Sequence, residues 1–293
     1  MEISATYIGT IANQKLMLEQ AGAVSGITSR GIFLHLKSGW MIFLSSEGYK
    51  GPLTINLQDD PQGLQALERG TPVQTQAGHL HFPAAGLSIH TSEAARWKTP
   101  PKPLTMLSAE KRKTQLITLA RQVLVARKAD GLCALLAILL DLINDFSNSD
   151  LLEFQITPKV KLLQQAIVSY QAAQVATALE PFMGFGAGLT PSGDDLVIGL
   201  MLALNRWGKL LKPALEIEEL NRCVVQMAYS RTTTLSANLI ECATLGQADE
   251  RLVSALDGLL SGQPGLDICA ANLLTWGNSS GCDALVGMVL AIA

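Results

Sequence analysis

Two adjacent carboxylates, Asp194 and Asp195, stand at the mouth of an apolar run in GFGAGLTPSGDDLVIGL, residues 184–200. Carboxylates placed there can orient a substrate amide, hold Mg²⁺ beside a phosphate, or act as a general base. If the chemistry uses a metal, Mg²⁺ is the cofactor expected, held by Asp194 and Asp195. The glycines ahead of them, Gly184, Gly186 and Gly188, let a loop wrap an anion with its backbone N–H groups. The plainer alternative is that Ser192 or Asp194 only caps the following helix and complements its dipole. GxGxG by itself is a weak signal. It lacks the strand-then-helix setting of a dinucleotide fingerprint, and no Gly-Lys-Ser/Thr of a P-loop follows it.

The same pattern returns near the C-terminal end. Residues 280–292, SGCDALVGMVLAI, repeat residues 192–204, SGDDLVIGLMLAL, with an offset of 88 and six identities in thirteen positions. Apart from Asp194/Cys282, the differing pairs are all apolar. A cap does not need a glycine four residues on, whereas close helix packing does, so Gly199 and Gly287 are expected to mark a tight crossing. Two buried helices with converging N-termini would then bring Asp195 and Asp283 together. Converging N-termini also supply free N–H groups and partial positive charge for an anion. Asp194, Asp195 and Asp283 are therefore the candidate catalytic residues. Gly184, Gly186, Gly188, Thr190, Ser192, Gly193, Ser279, Ser280 and Gly281 are the candidate substrate contacts.

Between the repeats, Arg231, Thr234, Asn238 and Glu241 recur at the spacing of one helix face. Arg231 and Asn238 join the candidate substrate-binding set, because a guanidinium pairs with a carboxylate or phosphate through two hydrogen bonds. A solvated face explains the spacing equally well. The four histidines, His35, His79, His81 and His90, all fall in the first third of the chain, and no Ser-His-Asp arrangement can be argued. His79 and His81 share a strand face and could bind a metal, although exposed strand histidines are the simpler reading. The basic group Lys98, Lys102, Lys111, Arg112 and Lys113 reads as a solvated connector.

The elements that must position these residues change period along the chain. Residues 1–97 alternate like strands, with a hairpin signal at Ile32–Leu36 and Trp40–Leu44 around Lys37-Ser38-Gly39. Asp60-Pro61 opens a short helix ending near Gly70. Three prolines in four positions, Pro100, Pro101 and Pro103, set a connector over residues 98–107. From residue 108 the period becomes 3.6, with helices expected over Gly131–Asn144, Pro158–Leu179, Asp195–Trp207, Ile217–Tyr229, Thr233–Thr244, Asp249–Ser261 and Asp267–Thr275. The fold class is α+β: a small β-barrel or sandwich, then a larger all-helical domain over residues 108–293 with an internal helix repeat. The 293 residues are 48% hydrophobic and 16% charged, with a net charge of −3. This balance excludes dominant disorder and gives no sign of nucleic-acid binding. No apolar run is long enough for a bilayer, and no signal peptide is evident. Five cysteines without a CxxC pair read as reduced core residues of a cytoplasmic protein.

The strings GLTPSGDD, RTTTLSANLIECATLGQ and GNSSGCDALVG resemble the bacterial AllH family. The resemblance extends over most of the chain. It is strongest at Gly184–Leu204 and Gly277–Leu290, and weak in the β-half apart from Ser88–Trp97. It implies a subunit acting with FdrA-type and AllG-type partners in oxamate carbamoyltransferase, an enzyme of anaerobic allantoin breakdown. Such a complex interconverts oxalurate plus phosphate with oxamate plus carbamoyl phosphate, all small anions. The chain is then either a transferase subunit or a non-catalytic ligand-binding scaffold. A Mg²⁺-dependent hydrolase using Asp194 and Asp195 is a third reading.

Overall fold

The computed structural model describes residues 1–18, 21–58, 64, 66–76, 78–127, 131–142 and 156–293. Two compact units make up the chain, Met1–Pro100 and Pro101–Ala293. The helix expected to open at Asp60-Pro61, and the end of the one expected over Gly131–Asn144, fall outside the described residues.

The first unit is an eight-stranded barrel with one extra strand. Its strands are β1 (Glu2–Gly9), β2 (Ala21–Thr28), β3 (Gly31–Leu36), β4 (Met41–Ser45), β5 (Thr54–Leu57), β6 (Pro72–Gln76), β7 (His79–Phe82), β8 (Leu87–His90) and β9 (Ala95–Trp97). They run in the order β5-β4-β3-β2-β6-β7-β8-β1, and β1 closes the barrel by pairing with β5, Ile8 opposite Ile55. Strand β9 adds in parallel to β1. Alternate residues fill the interior, among them Ile32, Leu34, Leu36, Ile42, Leu44, Leu80, Phe82 and Ile89. The β3–β4 hairpin turns at Gly39, whose φ is +86°. Helix α1 (Thr10–Leu18), absent from the sequence expectations, buries only Ile11, Ala12 and Leu16. Its nine residues, set between two strand signals, hold too few apolar positions for a 3.6-residue period to stand out.

The second unit contains α2 (Ala109–Arg127), α3 (Leu135–Leu139), α4 (Thr157–Ser169), α5 (Ala172–Leu179), α6 (Ser192–Leu211), α7 (Ile217–Arg231), α8 (Thr234–Thr244), α9 (Glu250–Ser261), α10 (Leu266–Thr275) and α11 (Ser280–Ile292). A 3-10 turn, Gly131–Ala134, leads into α3. The single helix expected over Pro158–Leu179 is two. Tyr170 takes φ +57°, and the Ser169 hydroxyl bonds Ala166 O at 2.7 Å and receives Gln171 N at 3.3 Å, so a side chain replaces the helical ladder there.

Helices α6 and α11 form the centre. Every residue from Gly193 to Leu204, and from Gly281 to Ile292, is buried, as expected of helices apolar on all sides. They cross at their glycines. A Cβ on Gly199 would fall onto the carbonyl of Ala284, and one on Gly287 onto that of Leu196. With the offset of 88, Ala284 corresponds to Leu196, so the two contacts are a reciprocal pair. The crossing expected from the repeat is therefore present.

Candidate functional site

The starts of α6 and α11 meet through side-chain hydroxyls. Thr190 Oγ1 lies 3.4 Å from Ser280 Oγ and donates to Asp195 Oδ2 at 3.3 Å. Thus the residues before one helix touch the first residue of the other. The preceding loop turns at Gly184, Gly186 and Gly188, with φ of +73°, +112° and +104°, conformations that side chains rarely adopt. It is exposed, and Phe185 and Leu189 on it are 38% and 54% accessible. The amides of Gly186, Gly188, Ser192 and Ser280 donate to no acceptor among the described residues. Gly193 and Gly281 instead sit tight against the carbonyls of Phe182 and Leu273, which lets the backbones enter closely packed ground. Ser279 immediately precedes α11 and, like Ser192, is half-buried.

The three aspartates are fully buried, and each does something different. Asp194 Oδ1 accepts from Gly184 N at 2.8 Å, while Oδ2 accepts from the Thr232 hydroxyl. It ties the glycine loop to the end of α7. The capping expectation fails: neither Ser192 nor Asp194 caps α6 through its side chain. Pro191 occupies the cap position and its carbonyl receives the N–H groups of both Asp194 and Asp195. Asp283 Oδ1 accepts from Leu132 N at 2.8 Å, across 151 residues of sequence. Gly131, with φ +62°, lies so close that a Cβ there would come within 2.9 Å of Asp283 Oδ1.

At Asp195, Oδ1 is buried with no hydrogen-bond partner among the described residues, as is Oδ2 of Asp283. Burial pushes the Asp195 carboxyl well above the ordinary carboxylate range; the charges of Asp283 and Asp194 add to this, and the Ser280 and Thr190 hydroxyls oppose it. Asp195 and Asp283 therefore act on one another across the helix pair, as the repeat predicts. Because its folded pKa is raised, the stability Asp195 contributes is full below the ordinary carboxylate pKa. It is lost as pH rises through the folded value.

The polar face expected along Arg231, Thr234, Asn238 and Glu241 is not one helix face. Helix α7 ends at Arg231, Thr232 is extended, and Thr233 caps α8 by accepting Ser236 N at 3.1 Å. Threonine hydroxyls at this break find better partners than a continued helix offers: Thr232 bonds Asp194, and Thr233 bonds Leu189 O at 3.0 Å. Arg231 is exposed and ion-paired with Glu180. Buried Asn238 donates to Tyr229 Oη at 3.0 Å, and Tyr229 donates to Glu241 at 2.6 Å. The sequence reading missed Thr232, Gly131, Leu132 and Glu180. Only Thr232 carried a local signal, the three consecutive threonines after a helical run.

A cation between Asp194 and Asp195 would compete with Gly184 N and Thr232 for Asp194, whose two oxygens are already engaged. Among the described residues, no three His, Cys, Asp or Glu side chains converge as a metal cage.

Residues 182–292 match the AllH family. The description of that family is oxamate carbamoyltransferase subunit AllH, and the AllH match begins at Phe182, just before the glycine loop, and ends with α11. It contains all the candidate aspartates and both copies of the repeat. It covers residues 182–292, the stretch that holds both segments where the resemblance read from the sequence is strongest. No solved structure matches the chain. No helix among the described residues is long and apolar enough to cross a membrane.

Asp194→Ala is expected to free the glycine loop while leaving the helix core folded. Two hydrogen bonds to a charged group are worth about 1.5–3 kcal/mol each, and part of that loss would appear as faster amide exchange at 184–190. Unchanged exchange there would show that the loop is held by other contacts.

Proposed function

We propose that the helical unit binds the small anionic substrate of an oxamate carbamoyltransferase-type enzyme, at the junction of the α6 and α11 N-termini. One observation carries this reading. Unpaired amides from two helix starts meet there, linked by Thr190 and Ser280, inside the AllH-matching segment. The amides of Gly186, Gly188, Ser192 and Ser280 would hold the anionic end of carbamoyl phosphate, oxamate or oxalurate. Thr190, Ser279 and Ser280 offer hydroxyls beside it. Asp194 holds the loop in shape through Gly184, whereas Asp195 and Asp283 face the reacting group. Arg231 is the cation available to a substrate carboxylate or phosphate once it exchanges Glu180 for the ligand. Gly193 and Gly281 serve by close packing, and Asn238 by setting Tyr229.

In this reading the protein is cytoplasmic and acts with FdrA-type and AllG-type subunits in allantoin breakdown. It exchanges a carbamoyl group between phosphate and the oxamate nitrogen. A second reading, a ligand-binding subunit whose partner performs the chemistry, is favoured by the exposed Phe185 and Leu189 beside the site. Such apolar side chains on a loop suit a protein partner that completes the pocket.

Ligand linkage tests the proposal. Oxamate, carbamoyl phosphate or phosphate should raise the melting temperature of the full chain, reaching about 2.7 kcal/mol at a hundredfold excess over Kd. No shift with any of the three at millimolar concentration, with or without Mg²⁺, would reject it. Carbamoyl phosphate formation from oxalurate and phosphate then separates the readings. The chain alone is active only if it carries the chemistry.

A further inference from the structure

The anion reading leaves a conflict, because an anion is asked to sit beside three buried carboxylates. Two of them are anchored by the protein, Asp194 on Gly184 and Thr232, and Asp283 on Leu132 N. Asp195 bonds no backbone amide among the described residues: its Oδ1 is buried and, like Asp283 Oδ2, meets no hydrogen-bond partner among them, while its other oxygen accepts from Thr190 at the junction with Ser280. We propose that Asp195 is held as the neutral acid and reads an uncharged amide or carbamoyl group through Oδ1, so that the ligand binds with its amide end on Asp195 and its anionic end on the α6 and α11 amides. This rests on the proposed function and specifies the orientation and chemical class of its ligand.

The electrostatics support that assignment. The charged groups acting on Asp195 are Asp283 from α11 and Asp194 on its own helix, and both favour its proton. Among the charged groups on neighbouring elements, Arg231 pairs with Glu180, Glu241 accepts from Tyr229, Asp257 pairs with Arg206, and Asp267 accepts from Gln122. A neutral carboxyl both donates and accepts, matching the C=O and N–H₂ of a primary amide. A neutral carboxyl can donate to a ligand carboxylate, so discrimination against a second carboxylate comes from the charge of Asp283 and from the N–H₂ donor that only an amide supplies. The site therefore distinguishes oxamate from oxalate, which have nearly the same shape and differ in replacing the amide by a carboxylate.

Calorimetry of the full chain with these two probes, between pH 5 and pH 9, tests the assignment. Oxamate is expected to bind at least about tenfold tighter than oxalate, which can accept from Asp195 but has no N–H to donate back and adds a charge beside Asp283. That affinity should weaken as pH rises and Asp195 ionises. Asp195→Asn, neutral at every pH and still able to donate and accept, should keep oxamate binding, lose its pH dependence, and narrow the gap to oxalate. Infrared difference spectra should show a protonated carboxyl C=O band in the wild type that Asp195→Asn removes. Equal binding of both probes, an unchanged gap in the variant, or no such band overturns the inference while leaving anion binding intact. Binding of neither probe overturns this orientation, and the proposed function is then rejected only if phosphate and carbamoyl phosphate also fail to bind.

Discussion

Gly199→Leu should unfold the helical unit, or cost it more than the roughly 1–3 kcal/mol usual for overpacking. Helix propensity predicts the opposite sign, since leucine is favoured over glycine by nearly 1 kcal/mol in a helix interior. Steric exclusion decides, because even a Cβ at Gly199 would overlap the Ala284 carbonyl. That carbonyl belongs to the buried backbone of α11 and cannot move without shifting the whole helix. Gly287→Leu is the matched test against Leu196, and Val125→Ala on the exposed side of α2 is the control. Denaturant midpoints for Gly199→Leu and Gly287→Leu that matched the control would mean that the helices do not cross here.

Asp257→Ala should destabilise the same unit by about 3–5 kcal/mol, the usual cost of breaking a buried ion pair on one side. Asp257 takes two hydrogen bonds from Arg206, at 2.7 and 2.5 Å, and a third from Trp207 Nε1 at 2.9 Å. Arg206 and Asp257 are 9% and 7% exposed, so water cannot replace the lost carboxylate. Replacing both partners, Arg206→Met with Asp257→Leu, should recover most of the loss, because no charge is then left buried. Urea unfolding of the two variants measures this. A single variant within 1 kcal/mol of wild type would contradict the burial of the pair.

Some of this architecture was legible in the sequence, and some was not. The strand alternation of residues 1–97 and the 88-residue repeat are strong local patterns, so the barrel, the α6–α11 pair and the meeting of Asp195 with Asp283 follow from them. The break at Tyr170 was missed because periodicity continues across it. The one at Thr232 falls between the helices expected over Ile217–Tyr229 and Thr233–Thr244, although the polar-face reading runs across it. Each break is made by a hydroxyl, Ser169 or Thr232–Thr233, that trades the helical ladder for another partner. The role of Gly131 and Leu132 had no local signal, since their partner Asp283 lies about 150 residues away. Arg231 illustrates the converse. Its residue type suggested a ligand contact, but a neighbouring carboxylate, Glu180, occupies it in the structure.

The reciprocal contacts of Gly199 and Gly287 have the form of an isologous interface, the self-complementary surface by which identical subunits pair about a two-fold axis. Here both halves belong to one chain. In a true dimer each substitution appears twice, and a single ligand on the axis must look the same from either side. A fused pair escapes that rule. Asp194 can tether a glycine loop on one side while its counterpart Cys282 is buried and carries no such carboxylate, and Asp283 can lean on a distant backbone amide that Asp195 lacks. The frame keeps the packing of a symmetric assembly, but its centre is free to treat the two ends of a small molecule differently.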